Sequence, residues 1–561
     1  MTNTTIIERP TDVFAPVLKP LSSPPIVGCF ALLVLLAIVS AITRRKPVLS
    51  DGRFASGSEV RKGRMLGLEQ IAGQVPEEAA LNFGSLVLPN LQPAVAVAGR
   101  SRAGKTYSFI SPGIDSAIEQ GWTLMVLDVK GSLMKKHAAY AHKKGYEVYV
   151  FAPGFAYSDG LNFLDFLRDE TDANGALEIA TAFKSNFEKR GAQDDGFFGE
   201  QGDSLLKTAF MLAKESVHRD LLSAWKILSL TDLARRLDAA KKYDMFGTEL
   251  GRWAGEAAVA LRTVQHAEET ATGIVSSAVV HFQRLFDPSL IPCLLKSTIP
   301  LDLSGKQIVF FQIDEQNEAA TSPLVATAIH MLVKRNLNAS VKRKNTLGLF
   351  LDEFPRTRFP DIEAWISLKA EYGMVCVLGY QSNAQLAMRY SQEEAISILS
   401  SCGTTVVFNT GHAETSEKVS TSLGKKDVWY TTTSMSYGKG NRQSTRTEHV
   451  QQVPLISGAE IDRMGTGECL IITPGFNFRP YKLRVPRNRR KEKMWRSCTK
   501  AWERNVCPFL IKETKQRMDG ISIEVELSNR EAFAEWMLPT AIELEALKKL
   551  YELRARSGTA A

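Results

Sequence analysis

The stretch Gly99-Arg100-Ser101-Arg102-Ala103-Gly104-Lys105-Thr106 decides the fold of this 561-residue chain. It matches the phosphate-binding pattern G-x-x-x-x-G-K-[ST] at every fixed position. The apolar run Ala94–Ala98 comes directly before it, and a segment that can be helical follows. A strand, a glycine-rich loop and a helix in this order point backbone N–H groups and a positive helix end at phosphate oxygens. The pattern predicts that Lys105 neutralises β- and γ-phosphates and that the Thr106 hydroxyl ligates Mg²⁺. A plain glycine turn between core elements is the alternative.

Hydrolysis of a bound nucleotide needs carboxylates as well as a phosphate cradle. The sequence Leu349-Phe350-Leu351-Asp352-Glu353 is an apolar strand that ends in two adjacent acids, as a Walker B strand does. We expect Asp352 to hold Mg²⁺ through water and Glu353 to polarise the attacking water, which together indicate ATP hydrolysis. The alternative is an acid pair that caps a strand at the protein surface.

Two other strand ends carry polar residues. Gln381 follows the apolar run 375–380, where it could read the γ-phosphate, and Asp128 and Lys130 follow the run 123–127. In a doubly wound sheet, ligands bind beyond the carboxyl ends of the strands, so Asp128 and Lys130 are expected near the nucleotide or a neighbouring subunit. An ordinary polar strand end and a simple turn are the respective alternatives.

Composition sets broad limits on the class of protein. With 44% hydrophobic and 23% charged residues, the chain can bury real cores, which excludes wholesale disorder. The formal charge of +8 permits a nucleic-acid or anionic-membrane partner without requiring one. The seven cysteines are odd in number and show no C-x-x-C spacing, which favours reduced thiols in a cytosolic body.

An uncharged run, Ile26–Ile42, precedes the first domain. It is long enough for a short transmembrane helix. Arg44-Arg45-Lys46 follows it directly, so the positive-inside rule predicts a single membrane pass with the N-terminus outside and the body in the cytoplasm. A cleaved signal peptide and a buried core helix are the competing interpretations.

The body alternates apolar strand-like runs with helical stretches, which predicts an α/β fold with a parallel sheet. The interval 161–300 shows helical spacing of apolar residues without a β pattern, so it is expected to be an all-α domain inserted into the nucleotide-binding domain. Tyr430 to Val450 is expected to be a mobile loop or loose hairpin, and the run from Arg484 to Lys493 begins a basic tail. The predicted organisation is a short external N-terminus 1–25, a transmembrane helix 26–42, a juxtamembrane linker 43–90, a nucleotide-binding domain in two parts 91–160 and 301–485, the all-α domain 161–300, and a C-terminal tail and helix 486–561.

The ordered set GRSRAGKT, DVKGS, a long helical insertion, LDEF and YQS resembles the TraG/TraD-type coupling ATPases of type IV secretion and conjugation. The resemblance covers roughly residues 50 to 485. It implies a RecA-like P-loop NTPase domain in a membrane-anchored homo-hexamer that uses ATP and Mg²⁺. Such a motor recruits a relaxase–DNA complex, effector proteins or both, and delivers them to the components of the secretion channel, with contact to single- or double-stranded DNA possible. Gly99–Thr106, Asp352, Glu353 and Gln381 match the motor positions of that family.

This sequence departs from the family pattern at several points. Relatives often have two transmembrane helices, whereas one is evident here. Val129 and Ser132 stand in DVKGS where Pro and an acid are common. The segment before Tyr372-Gly373 lacks the Arg of many relatives, so a cation acting on a neighbouring subunit's site would be Lys369, Arg262 or Arg463.

Two other functions stay open at this point. A membrane receptor or scaffold could use nucleotide only as an assembly switch. A membrane-anchored DNA-pumping motor of the FtsK/HerA kind is disfavoured by the helical insertion.

Overall fold

The structure is a computed structural model that describes residues 50, 52–187, 196–242, 254, 268–438, 441–546 and 548–549. The predicted span Ile26–Ile42 lies outside these residues. Within the described part of the chain, no helix combines the length and the apolar character that a membrane crossing requires.

The centre of the fold is a nine-stranded sheet in the order β13-β12-β9-β3-β8-β7-β4-β6-β5. From β9 to β5 all neighbouring strands are parallel, and β12 and β13 add an antiparallel edge. Strands covered on both faces must be apolar throughout, which is why the central strands read as unbroken apolar runs in the sequence. The strands are β1 Leu81–Asn82, β2 Val87–Leu88, β3 Ala94–Ala98, β4 Thr123–Asp128, β5 Glu147–Phe151, β6 Gln307–Phe311, β7 Leu347–Asp352, β8 Met374–Tyr380, β9 Thr404–Val407, β10 Lys425–Gly438, β11 Asn441–Pro454, β12 Glu468–Ile472 and β13 Tyr481–Arg484.

The helices cover both faces of this sheet and continue into the C-terminal region. Several begin at a Ser side chain that caps the first turn; Ser56, for example, forms a reciprocal capping box with Glu59. The α-helices are α1 Gly57–Gly73, α2 Ser111–Gln120, α3 Ser132–Lys143, α4 Ala173–Phe187, α5 Gly196–Glu215, α6 Leu221–Leu228, α7 Leu233–Lys242, α8 Glu268–Gln283, α9 Glu318–Asn336, α10 Ile362–Leu368, α11 Asn383–Arg389, α12 Gln392–Ser400, α13 Ala413–Ser422, α14 Gly458–Asp462, α15 Arg489–Ala501, α16 Cys507–Met518 and α17 Ile523–Met537.

The apolar runs 94–98, 123–127, 349–351 and 375–380 are present in the large sheet as β3, β4, β7 and β8, with ends shifted by at most two residues. The edge strand β13 was not predicted. Its side chains alternate between half-buried and exposed, and it contains Lys482 and Arg484, so it carries no continuous apolar signal. An edge strand of this kind is held by its pairing with β12, which only the tertiary structure provides.

Helices α4 to α8 lie in the chain between β5 and β6, where the helical insertion is expected. Their mutual packing is aromatic: the rings of Phe183 and Phe282 lie 6.0 Å apart edge to face, and those of Phe210 and Phe282 lie 5.6 Å apart. Phe163, from the turn before α4, packs on Phe183 at 5.1 Å and also on Phe151 of β5. The helical layer and the sheet edge therefore share one core.

Strands β10 and β11 form a separate two-stranded ribbon of fourteen residues each, in a compact unit of its own. Of the two structures expected from Tyr430 to Val450, a mobile loop or a loose hairpin, the structure shows a hairpin, with regular antiparallel pairing over its described residues. Thr is frequent in this stretch, and β-branched side chains favour extended backbone even where no core covers them.

A buried ion pair fastens the C-terminal helix α17 to the helical layer. Arg530 on α17 is 4% exposed, and its Nε lies 3.0 and 3.1 Å from the two carboxylate oxygens of Asp220. Asp220 also caps α6 by accepting the Ser223 N–H at 3.0 Å. Both charges are therefore compensated by directed hydrogen bonds, as burial requires.

Removing one member of this pair should release α17. In Arg530→Ala, Asp220 keeps its buried charge but loses its only described cationic partner, so the free energy for local opening of α17 should fall by about 3–5 kcal/mol. Hydrogen exchange of the α17 amides measures this quantity. Glu531→Gln is the matched control, because its exposed contact with Lys226 should contribute only about 1 kcal/mol or less. Equal effects of the two changes would contradict the assignment.

Candidate functional site

The predicted P-loop is held by the strands on either side of β3. The Gly99 N–H donates to the Tyr380 carbonyl at the end of β8, at 3.2 Å, and the Arg100 N–H donates to the Asn409 carbonyl just after β9, at 2.8 Å. Because β8, β3 and β9 are parallel neighbours, their carboxyl ends meet at one edge of the sheet. Hydrogen bonds to the ends of β8 and β9 therefore fix the start of the loop without a bound ligand.

Glycine is required at Gly104 for two reasons. Its φ of +106° is a conformation that side chains rarely adopt, and a Cβ here would lie 2.9 Å from the Gly467 amide nitrogen. The Gly467 N–H in turn donates to the Ala103 carbonyl at 3.0 Å. A second glycine, far away in sequence, therefore lets the loop before β12 approach the P-loop closely.

The helix after the loop opens with a π-helical turn, Thr106–Ile110, before it continues as α2. Its last hydrogen bond runs from the Ser111 N–H to the Thr106 carbonyl. Turns of this kind are often found at functional sites, since the extra residue changes where side chains point. Here it accompanies a Thr106 side chain that reaches the acid strand.

Lys105 is almost fully buried, at 7% exposed. Its ammonium donates to the carbonyls of Gly99 at 2.5 Å and Tyr380 at 2.9 Å. Burial lowers the pKa of Lys105, and the nearby carboxylates of Asp352 and Glu353 oppose that shift. A cation held in this way is preorganised for an anionic ligand, because it has few water molecules left to lose.

The Thr106 hydroxyl donates to the Asp352 carboxylate at 3.0 Å. Asp352 is the last residue of β7, and burial raises the pKa of its carboxyl group, with Lys105 acting in the opposite direction. A hydroxyl and a carboxylate oxygen in contact form the hard oxygen donor set that Mg²⁺ prefers. The two residues predicted to hold the metal are therefore brought together.

Glu353 follows directly, in a left-handed backbone conformation with φ of +60°. This bend after β7 turns its carboxylate toward the same cleft as that of Asp352, as the sequence predicts for adjacent acids at a strand end. Its oxygens lie 2.9 Å from the Lys130 ammonium and 3.8 Å from the Arg356 guanidinium. The hydrogen bond with Glu353 raises the pKa of Lys130.

Asp128 ends β4 beside Asp352 of β7, with which it is in register. Burial raises the pKa of Asp128 to about 7, although its carboxylate accepts the N–H groups of Ser132 at 3.0 Å and Met134 at 2.7 Å. These bonds cap helix α3, so Asp128 orients the segment that carries Lys130. Asp128 thus has a structural task as well as a place in the cleft.

One cleft of about 360 Å³ collects nearly all the predicted residues. The other two residues of the predicted loop, Gly99 and Ala103, belong to its backbone and do not line the cleft. Five further residues line the cleft and were not predicted as site residues: Tyr107, Val129, Ser132, Lys136 and Thr466. Lys136 lies one helical turn after Ser132 of DVKGS, so the spacing of a helix could have predicted its place at the cleft. Thr466 lies just before β12, and nothing in the surrounding sequence predicts that it reaches the cleft. The predicted residues at the cleft are Arg100, Ser101, Arg102, Gly104, Lys105, Thr106, Asp128, Lys130, Asp352, Glu353 and Gln381.

The three cations considered for a neighbouring subunit's site differ in placement. The Lys369 ammonium donates to the Leu337 carbonyl of its own chain at 2.6 Å. Arg463 is exposed just after α14, and Arg262 lies outside the described residues. Of the two that the structure describes, Arg463 is exposed and Lys369 is half-buried.

The basic C-terminal tail also packs against the helix that follows the P-loop. In α15 the buried Trp495 donates its indole N–H to Asp115 of α2 at 3.2 Å, and the Tyr107 hydroxyl donates to Glu492 at 2.9 Å. A cavity of about 530 Å³ between the tail and the P-loop helix is lined in part by Tyr107 and Phe109. The tail is thereby connected to the first turn after Thr106.

A second group of potential metal ligands, Glu178, His330 and Asp361, lies away from the cleft. The Lys334 ammonium sits 2.7 Å from Glu178 and 3.5 Å from Asp361, and His330 Nε2 lies 2.5 Å from Glu178. These contacts neutralise the carboxylates without a metal, so the group joins α4, α9 and the start of α10.

Comparison with known proteins adds two relatives. The chain is similar to the coupling protein TraD of Escherichia coli (strain K12), with 22% identity over 170 residues. That region is 30% of this chain and 24% of TraD, so the match spans about a quarter of the relative's length. Solved structures of the conjugative coupling protein TrwB are similar over a larger part of the chain.

The unbound form of TrwBdeltaN70 has a TM-score of 0.51 at 17% identity, over 79% of this chain and 95% of that one. The complex of TrwB with ADP and Mg²⁺ has a TM-score of 0.52 at 16% identity, over 79% and 96%. At these identities the similarity shows a shared RecA-like α/β fold. A sequence model of the family described as type IV secretory system conjugative DNA transfer matches residues 50–494, most of the chain. This chain therefore belongs to the type IV secretory system family of conjugative DNA transfer proteins.

Proposed function

We propose that this protein is a membrane-anchored hexameric ATPase that recruits a relaxase–DNA complex, effector proteins or both, and couples ATP hydrolysis to their delivery into a type IV secretion channel. The observation that carries the proposal is the convergence in one cleft of a buried ammonium, a hydroxyl–carboxylate pair and a second carboxylate, from Lys105, Thr106 with Asp352, and Glu353. Family membership supports the role in conjugative transfer.

The ligands of the cleft are proposed to be ATP and Mg²⁺. The likeness to TrwB supports this, since TrwB structures contain ADP with Mg²⁺ and the ATP analogue ADPNP. In this chain, the Gly99–Thr106 backbone would hold the phosphates, and Thr106 with Asp352 would hold the metal. Bound Mg²⁺ would neutralise charge on the phosphate oxygens.

Hydrolysis needs a water molecule aimed at the γ-phosphorus. Glu353 is proposed to accept a proton from that water as its oxygen bonds to phosphorus, while the bond to the β-phosphate oxygen breaks. Gln381 at the end of β8 is proposed to sense the γ-phosphate. Since Lys130 is paired with Glu353, phosphate binding would compete for this ammonium and release the carboxylate.

The membrane anchor and the domain roles belong to the proposal too. The uncharged run Ile26–Ile42, followed by Arg44-Arg45-Lys46, supports a single pass in the bacterial inner membrane with the body in the cytoplasm. Residues 91–160 and 301–485 would form the motor, and residues 161–300 the all-α domain. Of the cations considered for a neighbouring subunit's cleft, Lys369, Arg262 and Arg463, the exposure of Arg463 supports that residue.

Lys105→Ala should abolish tight ATP binding. The variant loses the buried charge that opposes the phosphates, so we expect ATP hydrolysis to fall by about two to three orders of magnitude. Phosphate release by the purified full-length protein measures this, with the exposed Lys342→Ala as the matched control. Wild-type turnover in Lys105→Ala would contradict the assignment of the P-loop.

Glu353→Gln should separate binding from chemistry. The amide keeps the shape of the side chain but cannot take a proton, so kcat should fall by about 10²- to 10⁴-fold while ATP still binds. Substrate transfer in cells should be lost with it. The exposed Glu371→Gln should leave both unchanged. Normal transfer by Glu353→Gln would instead favour a receptor scaffold that uses nucleotide only as an assembly switch.

A further inference from the structure

The tail helix α15 contacts the P-loop helix at two places. Near the start of the P-loop helix, the Tyr107 hydroxyl donates to the Glu492 carboxylate at 2.9 Å and accepts the Asn488 N–H at 3.1 Å. Further along, the Trp495 indole N–H donates to the Asp115 carboxylate of α2 at 3.2 Å. Glu492 and Trp495 follow the N-cap residue Asn488 by four and seven positions, so one face of α15 makes both contacts.

Each carboxylate in these contacts is itself held in place. The side chain of Glu492 is 11% exposed and forms ion pairs with the guanidinium groups of Arg487 and Arg496. Asp115 is 1% exposed, and Nδ1 of His137 on α3 lies 3.0 Å from its carboxylate. Hydrogen bonds to such anions are stronger than those between neutral groups. The tail therefore supports the P-loop helix at two fixed points.

The π-helical turn Thr106–Ile110 lies between these two points. The Ser111 N–H donates to the Thr106 carbonyl, five positions earlier, where a regular α-helix would use the carbonyl four positions earlier. In an uninterrupted α-helix, Tyr107 and Asp115, eight positions apart, would point about 80° apart, at about 100° per residue. The extra residue in the turn reduces this angle. The turn therefore lets both side chains face α15.

The same turn sets the position of Thr106, whose hydroxyl donates to Asp352 at 3.0 Å. Relaxation of the turn to a regular α-helix would rotate the residues before it by about 100° relative to α2. The start of the P-loop is bonded to the ends of β8 and β9, and Asp115 holds α2 against the tail. The rotation would therefore fall on the residues between these supports, and the Thr106 hydroxyl would move away from Asp352.

We propose that the C-terminal tail holds the P-loop helix in the register that places the Thr106 hydroxyl beside Asp352, with Tyr107 as the positioning residue. This inference rests on the proposed binding of nucleotide and Mg²⁺ in the cleft, and it assigns the tail a regulatory role at that site. The metal would bind tightly only while α15 is docked on Tyr107. A partner that drew α15 away would weaken metal binding without contacting the P-loop.

Removing the Tyr107 hydroxyl in the purified full-length protein tests the proposal. The probe is Mn²⁺, which takes the same oxygen ligands as Mg²⁺ and is titrated by electron paramagnetic resonance in the presence of ADP. In Tyr107→Phe, the affinity for Mn²⁺ should fall about tenfold, because a hydrogen bond to a charged group is lost. Binding of ADP without metal should match that of the wild type, because the bonds of the loop to β8 and β9 remain.

Tyr140→Phe is the matched control. The Tyr140 hydroxyl on α3 donates to the Glu119 carboxylate on α2 at 3.0 Å, so this pair also joins a tyrosine to a glutamate on a neighbouring helix, but at the far end of α2 from Thr106. Its loss should leave the affinity for Mn²⁺ unchanged. An equal loss of affinity in Tyr140→Phe would show a general loosening of α2 and would overturn the proposal.

Glu492→Ala provides an independent test, because it removes the acceptor of the same hydrogen bond. It should weaken Mn²⁺ binding as Tyr107→Phe does, and the double variant should lose no more affinity than either single variant. Glu503→Ala, which removes an exposed carboxylate from the same C-terminal region, should have no effect. Wild-type affinity for Mn²⁺ in Tyr107→Phe, additive losses, or weaker ADP binding without metal would overturn the proposal.

The titration separates this proposal from the proposed function. It needs no turnover, so a wild-type protein that binds ADP with Mn²⁺ but hydrolyses no ATP would contradict the proposed ATPase. The comparison of Tyr107→Phe with Tyr140→Phe would still decide the role of the tail in that case. A wild-type protein that binds no Mn²⁺ in the presence of ADP would overturn both.

Discussion

The candidate site depends on one constraint, the parallel pairing of β3 with β8 and β9. Parallel neighbours bring their carboxyl ends to the same edge of the sheet, so Tyr380 and Asn409 are in place to bind the loop that leaves β3. The same Tyr380 carbonyl binds the Lys105 ammonium. A substitution that moved β8 relative to β3 would therefore disturb both the loop backbone and its cation, without touching the P-loop sequence.

Charge in the cleft is balanced by mutual contact rather than by water. Lys105 lies near Asp352 and Glu353, Glu353 is paired with Lys130, and Asp352 accepts the Thr106 hydroxyl. Burial raises the pKa of Asp128 to about 7, which limits the negative charge beside Asp352 near neutral pH. Bound ligands would exchange these contacts. A phosphate would compete with the Glu353 carboxylate for the Lys130 ammonium, and a metal ion would compete with the Thr106 hydroxyl proton for the Asp352 carboxylate. The contacts of the resting site are those that ligand binding would exchange.

Segments distant in sequence complete the surroundings of the cleft. The loop before β12 packs Gly467 against Gly104, and helix α15 reaches α2 through Trp495 and Asp115. The C-terminal region also joins the helical layer through Arg530 and Asp220. The C-terminal region therefore contacts both the P-loop helix and the helical layer, through a hydrogen bond on α15 and an ion pair on α17.

Much of the fold follows from local pattern. Buried parallel strands must be apolar on both faces, so their runs are visible in the sequence, and the P-loop spacing is dictated by the phosphates that it binds. Lys105, Thr106, Asp352 and Glu353 could be named for this reason, because each ends or follows a recognisable strand.

What local pattern lacks is information about pairing. The docking of α15 on α2 depends on a segment 380 residues away in the chain, and the edge strand β13 is held by its pairing with β12. The pairing of Glu353 with Lys130 and the contact of Thr466 with the cleft likewise require the strands to be placed side by side. The sequence by itself determined the sheet's central strands and the chemistry at their ends, because periodicity and residue type are local properties. Only the tertiary structure decided which charges neutralise one another and which strands lie side by side, because those depend on distances between residues that the chain order does not encode.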